Sequence, residues 1–257
     1  MTGLFLQPEG FYQQASAVLE PEMIASPVPG FPERGISCFS RKLVEFLKDR
    51  YKGVPIAFFR TEEGKIPIYK ISWEGEDVAL FMSRVGAPAA VIQLEEVRAM
   101  GLRKIFYFGS CGALDRQIGF GDLILPLGGI RDEGTSYHYQ PQEWNARMKE
   151  RPLEIIRQTL NDLKMDWREG LSWTTDGLYR ETRSKVDRRI RDGCLVVEME
   201  YTALQAAADF RKMDFGQLLY CEDNLDSEDW EARGYLPGDP ELMERWLELP
   251  FRIITQL

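Results

Sequence analysis

Apolar residues recur along this chain with two alternating periods. Leu43, Phe46 and Leu47 fall at helical spacing and predict a helix over Ser40–Tyr51. Strand-like runs follow at Val54–Arg60, Lys65–Trp73 and Val78–Ser83, with Gly64 and Glu74-Gly75 marking the turns between them. The small-residue loop Arg84–Pro88 leads into a helix predicted over Ala89–Met100, which Gly101 stops where a left-handed C-cap is required. Beyond it the pattern predicts strands at Lys104–Gly109 and Asp122–Leu127 and a helix at Pro152–Leu163. A strand at Gly170–Thr175, a helix near Glu181–Arg191 and a strand at Cys194–Glu198 come next. A helix at Tyr201–Lys212 and a strand at Phe215–Cys221 complete the alternation. Leu242, Trp246, Leu249 and Ile253 share one stripe and predict a closing amphipathic helix over Asp239–Gln256. Residues 1–39 are rich in Pro and Gly, lack periodicity, and read as an irregular arm.

Strands alternating with helices over residues 78–221 imply an α/β fold: one domain over 1–257, with a central mixed, mostly parallel sheet flanked by helices. With 44% hydrophobic residues in 257, the chain has ample material for a core, which excludes a disordered protein. The formal charge of −9 argues against a nucleic-acid-binding face, which needs clustered Lys and Arg. Cys38, Cys111, Cys194 and Cys221 are far apart in apolar stretches, and with a single histidine, His138, no metal site is expected. Buried, reduced thiols, no basic-then-apolar leader and no apolar run near ~20 residues lead to the expectation of a cytoplasmic protein without a membrane segment.

Ligands of open α/β sheets bind beyond the carboxyl ends of the strands. The segments there are Ser83–Pro88, Gly109–Gly112, Thr174–Tyr179, Glu198–Glu200 and Cys221–Leu225. In that order they resemble the nucleoside phosphorylase/uridine phosphorylase family, which includes hexameric-type phosphorylases and related nucleosidases. Gly86-Ala-Pro88 before Glu95-Glu96 is similar to its Gly-x-Pro loop and following helix. Phe108-Gly-Ser-Cys-Gly-Ala-Leu114 is similar to its GSCGA strand end, and Gly121-Asp-Leu-Ile124 to the GD strand after it. Val197-Glu-Met-Glu200 matches its EME signature, and Cys221-Glu-Asp223 sits where purine-specific members carry Ser-Asp.

The resemblance implies phosphorolysis of a nucleoside N-glycosidic bond to free base and ribose 1-phosphate, with inorganic phosphate as co-substrate and no cofactor. Glu200 would accept from the ribose 2′- and 3′-hydroxyls, since a carboxylate is acceptor-only and suits a vicinal diol. Its charge also favours an oxocarbenium-like transition state. Met199 would lie along the sugar. Ser110 and Gly109 would hold phosphate, with Gly112 admitting the anion. Asp223 would be the general acid at purine N7, its pKa raised by burial or by Glu222. Thr175, Leu178 and Tyr179, next to Thr174, would line the base. His138 reads as a structural histidine donating to a backbone carbonyl, with a hydroxyl contact or an interface role as alternatives. Homo-oligomers, dimer-based and up to a hexamer, are also implied.

Two departures matter. The family's Gly-Asp-Pro-x-Arg loop is absent, Pro29-Gly-Phe-Pro-Glu-Arg34 being the nearest analogue, and Tyr107-Phe108 replaces the arginine before the GSCGA turn. Arg84, Arg34 or Arg41 would have to supply the charge for phosphate. If none does, the alternatives are a phosphate-independent nucleosidase or a catalytically silent nucleoside-binding homologue. Asp223 favours a purine over uridine, because a carboxylic acid can serve N7. Pyrimidine-specific members of the family it resembles read the uracil edge with a Gln and an Arg, and here Arg180 and Arg183 stand without a Gln.

Overall fold

The computed structural model describes residues 16–62, 64–227, 230–233 and 239–257. The chain forms β1 (Arg34–Cys38), α1 (Arg41–Arg50), β2 (Val54–Thr61), β3 (Gly64–Trp73), β4 (Glu76–Met82), α2 (Ala87–Met100), β5 (Lys104–Ala113), β6 (Leu123–Asp132) and β7 (Ala146–Arg147). There follow α3 (Glu150–Asp162), β8 (Trp167–Thr175), α4 (Arg183–Arg191), β9 (Cys194–Glu198), α5 (Tyr201–Phe210), β10 (Asp214–Asn224), α6 (Pro240–Arg245) and α7 (Leu249–Ile254). Local chemistry sets several boundaries. The Ser40 hydroxyl caps α1 by accepting from the Leu43 backbone N–H at 3.3 Å. Pro88 sits in the first turn of α2, where no N–H is missed, and Gly101 ends that helix at φ 140°.

Strand β5 is the hub of the sheet. Its first half pairs in parallel with β1 on one side and with β10 on the other. Its last residues, Gly112 and Ala113, pair antiparallel with Val197 and Val196 of β9. From β1 the sheet continues through β4 to β3 and β2. From β10 it runs through β6 and β8 to β9 and so back to β5, which closes these strands into a ring. The architecture is thus a mixed α/β sheet with flanking helices, as the alternation of elements implies. The closure is not visible in the pattern, because periodicity marks a strand's faces and not its partners.

Two expectations are corrected. The irregular arm ends before Arg34, and Arg34–Cys38 is a central strand held in parallel by β4 and β5. Five residues containing Gly35 and Ser37 carry too little β signal to be read alone, so the tertiary pairing decides. Residues 1–15 of the arm lie outside the described residues. The closing helix is two short helices. Pro250 in the first turn of α7 cannot donate to a preceding turn, so α6 and α7 break around Trp246–Glu248. The strands β5, β6 and β10 also run past the ends of their apolar runs, and β5 and β10 thereby carry the polar motifs at their ends inside the sheet, while β8 starts earlier than its run.

The main buried cluster gathers β1, β3, β4 and β5 under α1, α3 and α7, while α2 packs on α5. The broken C-terminal segment still buries its apolar stripe. Trp246 stacks on Tyr220 (4.8 Å between centroids) and Phe251 on Trp73 (5.1 Å). All four cysteines are free and buried. Because Phe251 is fully buried between Trp73 and Tyr51, Phe251→Ala is expected to cost about 3–5 kcal/mol in urea denaturation. A loss below about 1 kcal/mol would show that the C-terminal segment does not belong to the cooperative core.

Candidate active site

The carboxyl ends of β5, β9 and β10 lie side by side, because β5 pairs with both of the others. A cavity of about 400 Å³ opens there. Ser110 and Gly112 reach it from β5, Glu198 from β9, Met199 and Glu200 from the turn into α5, and Glu222 and Asp223 from β10. Phe39, Val85, Leu178 and Trp230 complete much of its wall.

Glu198 organises this turn. Its carboxylate is buried and accepts from Ser172 Oγ (3.0 Å), Thr174 Oγ1 (2.5 Å), Glu200 N (2.7 Å) and Tyr201 N (2.6 Å). Two of those donors are backbone N–H groups at the start of α5, which would otherwise be unsatisfied. Burial raises the Glu198 carboxyl, and its four donors oppose that shift. Thr174 therefore serves the turn rather than a ligand. Thr175 is buried, with its hydroxyl accepting from Gly177 N, and does not line the cavity.

Glu200 faces the cavity and accepts a short hydrogen bond from the backbone N–H of Gly86. Burial, and then the Glu198 charge, push its carboxyl up to about 8, against the Gly86 and Met199 N–H groups. Asp223 has Gly112 against its Oδ1, where a side chain at 112 would collide (Cβ to Oδ1 2.9 Å), and Trp230 Nε1 donates to its Oδ2 at 2.6 Å. Burial raises the Asp223 carboxyl, with the Trp230 hydrogen bond opposing; the adjacent Glu222 is not the cause. Gly109 likewise has no room for a side chain, since its Cβ would lie 2.4 Å from the Phe39 ring.

Other expected residues are not brought here. Arg34 opens β1 opposite Lys104, six residues or roughly 20 Å of strand before Ser110, and its guanidinium pairs with Glu76 at 3.0 Å. Tyr179 is 94% exposed and does not line the cleft, whereas its neighbour Leu178, also exposed, edges the cavity from the short 3₁₀ turn Leu178–Arg180. Arg84 and Arg41 line an adjoining cavity of about 610 Å³ that shares only Val85 with the cleft. The charge of Arg84 also bears on Glu96. His138 lines a separate cavity with Tyr139 and Arg211. Among the described residues the cleft is lined by carboxylates and no Lys or Arg. No group of His, Cys, Asp and Glu among them could hold a metal ion.

Glu181 and Trp230 line the cleft and were not singled out as site residues by sequence. Glu181 opens a helix-like stretch and Trp230 lies in an acidic loop, so neither carries a local signal; only their convergence on Asp223 marks them.

A family model for the phosphorylase superfamily matches residues 33–246, and the chain belongs to that superfamily. A guanosine phosphorylase of Halorubrum lacusprofundi is 28% identical over 160 residues, covering 61% of this chain and 66% of that one. The chain spans about half the length of other curated relatives it matches. Among solved structures, a uridine phosphorylase from Vibrio fischeri superposes with TM-score 0.76 at 19% identity, over 95% of this chain and 99% of that one. An AMP nucleosidase from Bacteroides thetaiotaomicron gives 0.70 at 21%, over 88% of each chain. At these identities the superpositions establish the fold.

The raised Glu200 carboxyl has a consequence for stability. The folded state holds this proton more tightly than the unfolded chain, so its contribution is complete below about pH 4.5 and is lost as pH rises towards about 8. Glu200→Gln removes that loss. Between pH 5 and pH 8.5 the melting temperature of the wild type should fall further than that of the variant. The gap corresponds to on the order of 2 kcal/mol, or roughly 4–8 °C. Parallel pH dependences would show that Glu200 is not held protonated in the empty cleft.

Proposed function

We propose that this chain cleaves the N-glycosidic bond of a nucleoside, with inorganic phosphate as the attacking group and a purine as the favoured base. The observation that carries the reading is the convergence of Glu200, Met199, Ser110 and Asp223 on one cavity at the carboxyl ends of β5, β9 and β10. Superfamily membership supports it. Each residue has a task its chemistry fits. Glu200 accepts from the two vicinal hydroxyls of the sugar; those donors favour its ionised form, so binding draws the raised carboxyl down and releases a proton. The resulting charge stabilises positive character developing at the anomeric carbon. Met199 lies along the sugar and Leu178 against the base. The Ser110 hydroxyl, beside Gly112 in the cavity wall, contacts the phosphate; Gly109 lies behind it, covered by the Phe39 ring. Asp223, raised by burial, protonates the departing base.

A hydrolytic reading, with water in place of phosphate, is favoured by one observation: the described lining of the cleft contains several carboxylates and no cation. Phosphate would then depend on Arg84 and Arg41 reaching across Val85 from the adjoining cavity. Homo-oligomerisation is also proposed, supported by the exposed apolar residues Leu19, Ile24 and Ile92 around one surface cavity. A cytoplasmic location is supported by the four free thiols. Among the described residues no helix is long and apolar enough to cross a membrane.

Incubation with a panel of purine and pyrimidine nucleosides, with and without phosphate, tests the reading. Phosphate-dependent base release is expected, with Glu200→Ala lowering kcat/KM by about 10²-fold or more. Release that ignores phosphate transfers the assignment to hydrolysis. Thermal stabilisation by a nucleoside without turnover makes the chain a silent binding protein.

A further inference from the structure

Asp223 does not stand alone at its end of the cleft. Glu181 lines the same cavity, together with Leu178 and Trp230. The two carboxyl groups arrive from different elements: Asp223 from the end of β10, and Glu181 from the junction between the 3₁₀ turn Leu178–Arg180 and α4. Their partners differ. Asp223 Oδ2 accepts from the Trp230 indole N–H, a donor that stabilises the carboxylate form. No hydrogen bond to the Glu181 carboxyl exists among the described residues, and the charge of Asp223 bears directly on it.

We infer that Glu181 and Asp223 act as one acid, sharing a single proton that is delivered to the departing base. This pairing presupposes the glycosidic cleavage proposed above. Burial, and then the Asp223 charge, push the Glu181 carboxyl up to about 7, with Lys185 opposing. Two carboxyls that interact this way titrate as a unit, and the half-buried pair resists losing both protons. The described lining brings no cation to the pair: Glu222 on β10, Glu198 on β9 and Glu200 before α5 are the other charged groups of the same cavity. Lys185 on α4 opposes the rise at Glu181 but is shared with Asp132 at 3.1 Å, and Arg183 is turned to the Ser227 carbonyl. As the bond between the anomeric carbon and the base breaks, its electron pair goes to the base nitrogen. The shared proton passes to the base, an oxygen of phosphate (or water) bonds to the anomeric carbon, and solvent returns a proton to the pair.

The test is the pH profile of kcat/KM on the nucleoside that the wild type cleaves fastest. An alkaline limb near pH 7 is expected. Glu181→Gln removes the like charge and should move that limb down by about one pH unit. Trp230→Phe removes the donor that favours the carboxylate and should move it up; Trp230 is 66% exposed, so this variant leaves the core intact and carries the test if Glu181→Gln fails to fold. Glu181→Asp should restore a limb close to that of the wild type. A purely structural role for Glu181 would lower kcat/KM at every pH and leave the limb in place. Unmoved limbs in an active wild type and in both variants overturn the pairing alone. A wild type that cleaves no nucleoside removes the glycosidic reading and the pairing with it.

Discussion

The arrangement depends on one buried carboxylate. Glu198 ties the hydroxyls of Ser172 and Thr174 on β8 to the first backbone N–H groups after β9, so a single side chain joins two strands and a helix start. Each of its partners is buried, and a buried donor left unpaired costs more than an ordinary hydrogen bond contributes. Thr174 adds a second tie by accepting from Thr202 N, and Thr202 in turn donates to Glu133. The turn between β9 and α5 is therefore over-determined. Met199 and the Glu200 side chain are held at the cleft, Glu200 giving only its backbone N–H to the knot.

That knot also explains the electrostatics of the cleft. Burial first, and then the negative charge of Glu198 two residues away, make the Glu200 carboxyl reluctant to ionise. At the other end burial raises Asp223, and burial together with the Asp223 charge raises Glu181. Such crowding is a poor way to stabilise a fold and a reasonable way to prepare a site for a ligand that brings hydroxyl donors at one end and needs a proton at the other. The cation-rich space lies across Val85, so the cleft separates into an acidic half and a basic approach.

The ring closure of β5, β10, β6, β8 and β9 is what makes these charges neighbours. Ser110, Glu198 and Asp223 are more than a hundred residues apart at the extremes of the chain segment, and they meet because β5 pairs with β9 at its end and with β10 along its length. Glycine at 112 keeps that junction open: a Cβ there would lie 2.6 Å from Leu225, 2.9 Å from the Asp223 carboxylate and 3.1 Å from Val197, so a larger residue would displace the groups that shape the cleft.

The sequence by itself determined which segments are strands and helices over most of the chain, and which strand ends carry acid, hydroxyl and glycine chemistry. Those features are local: a periodicity, a cap or a glycine stop acts over a few residues. Tertiary structure decided what no local signal holds. It made Arg34–Cys38 a central strand, and by doing so placed Arg34 at the amino end, away from the cleft. It set Leu178 at the edge of the cleft and Tyr179 out in solvent within one short turn. It split the C-terminal stripe before Pro250, burying Trp246, Leu249 and Ile253 and leaving Leu242 on α6 half-buried. It also brought Glu181 and Trp230 onto Asp223, because the partners of a side chain depend on strand pairing and backbone direction across the whole sheet, and these are set by packing between segments distant in sequence.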